Sequence, residues 1–305
     1  MNKICYIFPG QGSQYVGMGK DLYDNFPEAQ VIFDQSEKIL GFDIKKLCFE
    51  GPAEELNQTV NCQVAVVVTS IAALEAFKGL KTEKNEYIEP SFCAGLSLGE
   101  TSALVASNAI EFKDAVSLVR RRGEIMNKVS GSMASIIGLS IDVLKDVCRD
   151  TGAEIANLNC PGQITLAGTK ESIEKAMALS QEKGARKTVL LNVSGPFHSS
   201  IMKEVEGLMR QEIDKTRFFS PSIPVISNVT VDFEKTPEEI RRNMLSQLCS
   251  PARWEECIRR IASQGCSTFF EIGPGKVLKG LLRRINPELK VYNVGTMEDI
   301  CASYL

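Results

Sequence analysis

The chain of 305 residues contains a single histidine, His198. That scarcity leaves one candidate for any imidazole chemistry and starves a metal site of its commonest ligand. The ten cysteines, at positions such as 5, 48, 62, 93, 148 and 160, form no Cys-x-x-Cys pair, so no metal site is expected. Scattered in this way they read as reduced, mostly buried thiols, which places the protein in the cytoplasm. An excess of positive charge is also missing. Against 38 Asp and Glu stand 35 Lys and Arg, a net charge of -3, which argues against nucleic acid as the main ligand while leaving local basic patches open. Long apolar runs are absent as well. The run at the start of the chain is cut by Pro9 and Gly10, too early for a signal peptide, and the stretch 64–74 is too short to span a bilayer, so no membrane segment is expected. There is no internal repeat, low-complexity tract or disordered linker.

What remains is an ordinary globular composition, 44% hydrophobic and 24% charged, at a length that suits one large domain or a large one carrying an insertion. Residues 4–8 read as a buried strand, followed by a loop of turn residues, Pro9-Gly10-Gln11-Gly12-Ser13-Gln14. This loop lacks the Gly-Lys-Ser/Thr of a Walker motif, and its glycines do not have dinucleotide-fingerprint spacing, so phosphate binding is set aside. Residues 63–80 read as a mostly buried helix despite their β-branched run, and 81–89 as a polar surface connection.

Gly95-Leu96-Ser97-Leu98-Gly99 is the stretch richest in chemistry. Gly-x-Ser-x-Gly puts a serine on a sharp turn between strand and helix, with glycine on both flanks where neighbouring chain must pass close by. The apolar run Phe92, Cys93, Ala94 supplies the strand, and 100–109 is helix-compatible. A neutral serine hydroxyl needs a base to attack, and His198 is the only imidazole available, although a lysine can serve in principle.

From residue 133 short elements follow one another: strand 133–139, helix 141–149, strands 154–159 and 163–168 around Cys160-Pro161-Gly162, helix 170–183 and strand 187–193. The order is β-α-β-β-α-β, the ferredoxin-like split unit. Residues 127–194 therefore read as a small subdomain inserted into a larger α/β body made of 1–126 and 195–305, with Gly131 and Gly195 as hinge-side positions.

In the helix before the insert, Ala115, Leu118, Val119, Arg122, Ile125, Met126 and Val129 follow three-and-four spacing, so Arg122 lies on the apolar stripe while Arg120 and Arg121 fall outside it. An inward guanidinium needs an anion, an Asp or Glu of the chain or the carboxylate of a substrate held by its planar fork, unless the side chain snorkels to solvent. His198 sits in the turn Ser194-Gly195-Pro196-Phe197-His198-Ser199-Ser200, ahead of an amphipathic segment, 201–213.

Almost end to end, the chain resembles the malonyl-CoA:acyl carrier protein transacylases of type II fatty acid synthesis and the related acyltransferases of polyketide assembly. The resemblance is carried by the Phe8 to Gln14 loop, Gly51-Pro52-Ala53-Glu54-Glu55-Leu56, the elbow through Glu100, Arg122-Gly123, Asn159-Cys160-Pro161-Gly162-Gln163, Phe197-His198, Gln247 before Pro251, and Glu271-Ile272-Gly273-Pro274-Gly275. It implies an α/β-hydrolase-like large subdomain with a ferredoxin-like insert. It implies Ser97 as nucleophile and His198 as base, with the backbone N–H groups of Gln11 and Leu98 as oxyanion hole and Arg122 on the malonyl carboxylate. The main-chain carbonyl of Gln247 would orient the histidine. No bound cofactor is implied. Malonyl-CoA is the substrate and the partner is an acyl carrier protein bearing phosphopantetheine, with neither nucleic acid nor membrane involved. Phe197 resembles the version of the motif that disfavours methylmalonate. Leu96, where the family often has histidine, and Thr101, where it often has an aromatic residue, depart from the pattern.

An acidic carrier protein needs basic residues near the cleft, and Lys276, Lys279, Arg283 and Arg284 together with Arg186 and Lys187 are the candidates. A polyketide carrier as acceptor shares every catalytic residue with the fatty acid reading. A serine thioesterase or hydrolase, or a binding-only protein, is the remaining class, disfavoured by the inward Arg122, by the lack of a carboxylate partner for His198 and by the intact Ser97, His198 and Gln11 loop.

Overall fold

The computed structural model describes residues 3–79 and 88–302; most of the polar connection expected at 81–89, residues 81–87, lies outside them. Among the described residues there are ten strands: β1 (Lys3–Phe8), β2 (Phe92–Gly95), β3 (Ser132–Ile137), β4 (Glu154–Cys160), β5 (Gln163–Gly168), β6 (Lys187–Leu190), β7 (Val225–Ile226), β8 (Phe233–Glu234), β9 (Cys266–Ile272) and β10 (Lys290–Val294). They form two sheets within a mixed α/β fold. The larger has the order β10-β9-β1-β2-β7-β8, parallel except for the edge strand β8.

At the centre of that sheet β1 is apolar on both faces, as a parallel strand covered on both sides must be. Tyr6 and Phe8 enter one core, while Cys5 and Ile7 enter another beside Trp254, Ile258, Leu278 and Leu282. The first core is built on the helix Thr59–Gly79, sixteen of whose 21 residues are buried. This corrects the length argument against a membrane span. The helix is long and apolar enough to cross a bilayer, but it is buried in the protein, and that packing overrides the weak helix preference of Val64 and Val66 to Val68. All ten cysteines are free, and burial pushes Cys48, Cys62 and Cys93 up to about 12.

The second sheet has four strands in the order β4-β5-β3-β6, every neighbouring pair antiparallel, with helices Ile141–Thr151 and Lys170–Glu182 as connections. Alternation decides its faces. Ala134, Ile136, Ile164 and Leu166 pack on the two helices, while Met133, Ser135, Gln163 and Thr165 face the cleft shared with the larger sheet. The strand expected at 187–193 stops at Leu190, because Val193 N–H turns back to Leu191 O (3.0 Å) and takes the chain out of the ladder. The amphipathic stretch 201–213 begins as a 3-10 turn, Ser200–Val205, before the helix Glu206–Lys215. Gly131 and Gly195, the two positions expected at the hinge side, also have a steric reason. A Cβ on Gly131 would stand 2.6 Å from the Pro196 ring, and one on Gly195 2.9 Å from Val129 O, so both mark a tight crossing of two chain segments.

Candidate active site

Four parallel strands, β1, β2, β7 and β9, end on the same side of the large sheet, which is where open α/β sheets place their chemistry. β2 runs out into the elbow and Ser97 adopts φ +52°, the left-handed region that costs a side-chain-bearing residue about 1–2 kcal/mol. Contact explains the flanking glycines. A Cβ on Gly95 would lie 1.9 Å from the Gly99 carbonyl carbon, and one on Gly99 2.1 Å from Phe8 O. The helix Gly99–Ala106 begins at once, so the Leu98 N–H is left at its open N-terminus. From β1 the Gly10-Gln11 loop presses against the elbow, where a Cβ on Gly10 would meet Leu96 O at 2.5 Å. Among the described residues neither the Gln11 N–H nor the Leu98 N–H donates to a protein acceptor, and both residues line the cleft.

His198 lies 101 residues beyond Ser97 in sequence and stands against it in space: Nε2 is 2.7 Å from Ser97 Oγ. Its Nδ1 is 2.7 Å from the main-chain oxygen of Gln247. A carbonyl only accepts, so Nδ1 carries the proton and Nε2 offers its lone pair to the serine hydroxyl. Burial first, and then the positive charge of Arg122, pull His198 down to about 4, against the carbonyls of Gln247 and Ser250. The ring is therefore a neutral acceptor across the neutral pH range.

Arg122 is buried on the helix Phe112–Met126, as its place on the apolar stripe predicts. Among the described residues it has found no carboxylate to bond. Nη1 donates to Gln63 Oε1 (2.8 Å), and Nη2 to Gln247 Oε1 (3.4 Å) and Ser97 Oγ (3.5 Å). Burial lowers its guanidinium to about 10, still protonated over neutral by a factor of about a thousand. The nearby carboxyl is Glu100, fully buried, which burial and then the Glu234 carboxyl push well above the usual carboxylate range. A cation held by neutral amides, beside a carboxyl whose ionisation burial opposes, can take up an anion. It opens on a cavity of about 240 Å³ whose lining also includes Phe197, Leu96, Met126 and Val277.

Two site residues were not visible in the sequence. Gln63 is a buried amide in a largely apolar helix, its Nε2 turned to Met126 Sδ (3.6 Å) so that Oε1 faces Arg122. Asn228, just after β7, accepts the Ser97 N–H on Oδ1 (2.7 Å) and donates Nδ2 to Gly95 O (2.8 Å). The one available signal was the polar pair Ser227-Asn228 at the end of a buried strand. The basic residues divide. Lys276 precedes its helix and pairs with Asp299 (3.4 Å), Lys279 is half-buried, Arg283 is exposed, and Arg284 bonds Gln163 on β5. Lys187 and Gln163 both pair with Ile137 of β3, so Lys187, Arg186 and Arg284 share one end of the small sheet.

The profile of the acyl transferase domain matches residues 5–296. The malonyl CoA-acyl carrier protein transacylase of Bacillus subtilis (strain 168) is 45% identical, covering 98% of this chain and 96% of that protein. The chain belongs to this transacylase family. Its relative of the same description in Staphylococcus aureus (strain MW2) is 39% identical over 98% of both chains. Among solved members, the acyl carrier protein S-malonyltransferase of Vibrio cholerae superposes with a TM-score of 0.93 at 37% identity, covering 99% of this chain and 100% of that one. A malonyl-transacylase in complex with a type II polyketide acyl-carrier protein gives 0.95 at 35%, with 99% of each chain covered. The chain is thus an acyltransferase by family, and the likeness extends over the whole mixed α/β fold.

Proposed function

We propose that this enzyme moves a malonyl group from malonyl-CoA to the phosphopantetheine thiol of an acyl carrier protein, through a malonyl ester on Ser97. The observation that carries the reading is the 2.7 Å contact of Ser97 Oγ with His198 Nε2, beside a buried Arg122 that bonds no carboxylate among the described residues. His198 takes the hydroxyl proton as Oγ attacks the thioester carbonyl. The oxyanion that forms meets the Gln11 and Leu98 N–H groups. Its collapse breaks the C–S bond, and His198 returns the proton to the departing coenzyme A sulfur. In the second half the carrier thiol gives its proton to His198 and attacks the ester, and the proton passes to Ser97 Oγ as it leaves. No resident metal or cofactor enters these steps. Arg122 holds the free carboxylate by two parallel hydrogen bonds, each charged bond being worth roughly 1.5–3 kcal/mol, enough to separate malonyl from acetyl. Phe197 crowds the added methyl of methylmalonyl, a filter of about 1–3 kcal/mol.

In this reading residues 127–194 are a ferredoxin-like insert in an α/β-hydrolase-like body of 1–126 and 195–305, and the insert supplies one wall of the cleft. The buried thiols suit the reducing cytoplasm, and fatty acid elongation is the consumer. The likeness to a transacylase solved with a polyketide carrier supports a polyketide carrier as the second reading. Hydrolysis is disfavoured because the partner of His198 is a carbonyl and not a carboxylate. Intact-protein mass measurement tests the proposal. Malonyl-CoA should add one malonyl group to the wild type and none to Ser97→Ala, and a holo carrier protein should remove it. Release of free malonate without a carrier would identify a hydrolase instead.

A further inference from the structure

Ser97 is held in the left-handed region, and elbow glycines alone permit that conformation without enforcing it. The enforcing contact comes from another strand. Asn228 follows β7, the parallel neighbour of β2, and one planar amide spans the turn: Oδ1 accepts the N–H of Ser97 (2.7 Å) and Nδ2 donates to the C=O of Gly95 (2.8 Å). Reversing the amide would set donor against donor and acceptor against acceptor, so its orientation is fixed by its partners. The backbone of Asn228 is anchored too. Its N–H donates to Glu100 Oε2 (2.8 Å), on the helix that leaves the elbow, and its C=O accepts the Arg253 N–H (3.0 Å). All four polar groups of this fully buried residue are used, two of them on the nucleophile's own turn.

The Ser97 N–H is occupied by Asn228 Oδ1, whereas the next N–H, that of Leu98 in the cleft lining, has no protein acceptor among the described residues. The Asn228 contact therefore sorts the elbow's two amides between holding the turn and receiving charge.

We propose that Asn228 is a positioning residue of the transfer reaction, clamping Gly95 to Ser97 so that the serine oxygen meets His198 and the Leu98 N–H faces the developing oxyanion. This rests on the reading of Ser97 as the acylated residue. Asn228 does not itself line the cavity and has no bond to Arg122; the lining residue it holds is Ser97, so its loss acts on the chemical step and not on substrate binding.

The test is rapid-quench mass measurement of malonyl-enzyme formation by the wild type, Asn228→Ala and Asn228→Asp, with the folded fraction of each read by circular dichroism. Asn228→Ala should acylate about a hundredfold more slowly, the scale of a nucleophile displaced by an ångström, with the malonyl-CoA concentration for half-maximal rate unchanged. Asn228→Asp keeps the shape and the acceptor for Ser97 N–H but loses the donor to Gly95 O, and should fall between the two. It decides the question if the alanine variant does not fold. A folded variant acylating within about threefold of the wild type would overturn the proposal. So would a loss that only tracks the unfolded fraction. If the wild type itself forms no malonyl ester, the functional reading fails, and labelling of Ser97 by a fluorophosphonate then tests the clamp: slower in Asn228→Ala if it holds, unchanged if it does not.

Discussion

Arg122 and His198 sit on one serine, and the charge on the first opposes protonation of the second. The guanidinium lowers the basicity of the imidazole, after burial, so His198 stays neutral down to about pH 4. The acid limb of kcat/KM for acylation should therefore lie well below the ordinary histidine value of about 6.5. Removing the positive charge in Arg122→Gln removes one cause of the depression, so the imidazole pKa rises and the limb moves to higher pH; a pH profile of single-turnover acylation reads this. A limb that stays in place would break the electrostatic link. Both residues were legible in the sequence, one as a charge on an apolar stripe and the other as the sole imidazole. Gln63 and Asn228 were not, since an isolated amide belongs to no pattern, and their partners lie 59 and 131 residues away in the chain.

Helices and strands show the same division between what periodicity reveals and what only packing decides. The β-α-β-β-α-β order of 133–193 was legible because each element is long enough to alternate or repeat, whereas β7 and β8, at two residues each, have no period to read. The Glu271-Ile272-Gly273-Pro274-Gly275 motif acquires a mechanical meaning in the structure. The helix Val277–Ile285 has no side-chain cap of its own; both carboxyl oxygens of Glu271, at the end of β9, take its N–H groups at Leu278 and Lys279 (2.8 Å each). Burial pushes that carboxyl up to about 7 against these bonds. Glu271→Ala should cost about 1–2 kcal/mol in urea unfolding, the scale of a lost helix cap, and Glu271→Gln less because it keeps an acceptor. Equal midpoints for all three proteins would show that the cap contributes nothing.

Across the whole molecule, the cleft lies between two sheets and both contribute to its rim. Arg284 reaches from the helix after β9 to Gln163 on β5, which joins the body to the small sheet at the end where Arg186 and Lys187 stand. Exposed Arg283 and Lys187 have no ion pair among the described residues, which suits them to an acidic carrier better than Lys276, already paired with Asp299. Arg283→Glu with Lys187→Glu should slow transfer to the carrier and leave acylation by malonyl-CoA unchanged, measured as separate half-reactions; equal losses in both would remove these residues from docking. In the proposed reaction Arg122, a buried cation bonded to no carboxylate among the described residues, chooses which acyl group Ser97 carries. The most direct measurement is the mass of the acyl-enzyme after brief exposure to equal malonyl-CoA and acetyl-CoA. The wild type should carry malonyl almost alone, and Arg122→Ala should carry acetyl at least as readily as malonyl. An Arg122→Ala enzyme that still prefers malonyl to the wild-type degree would contradict the account.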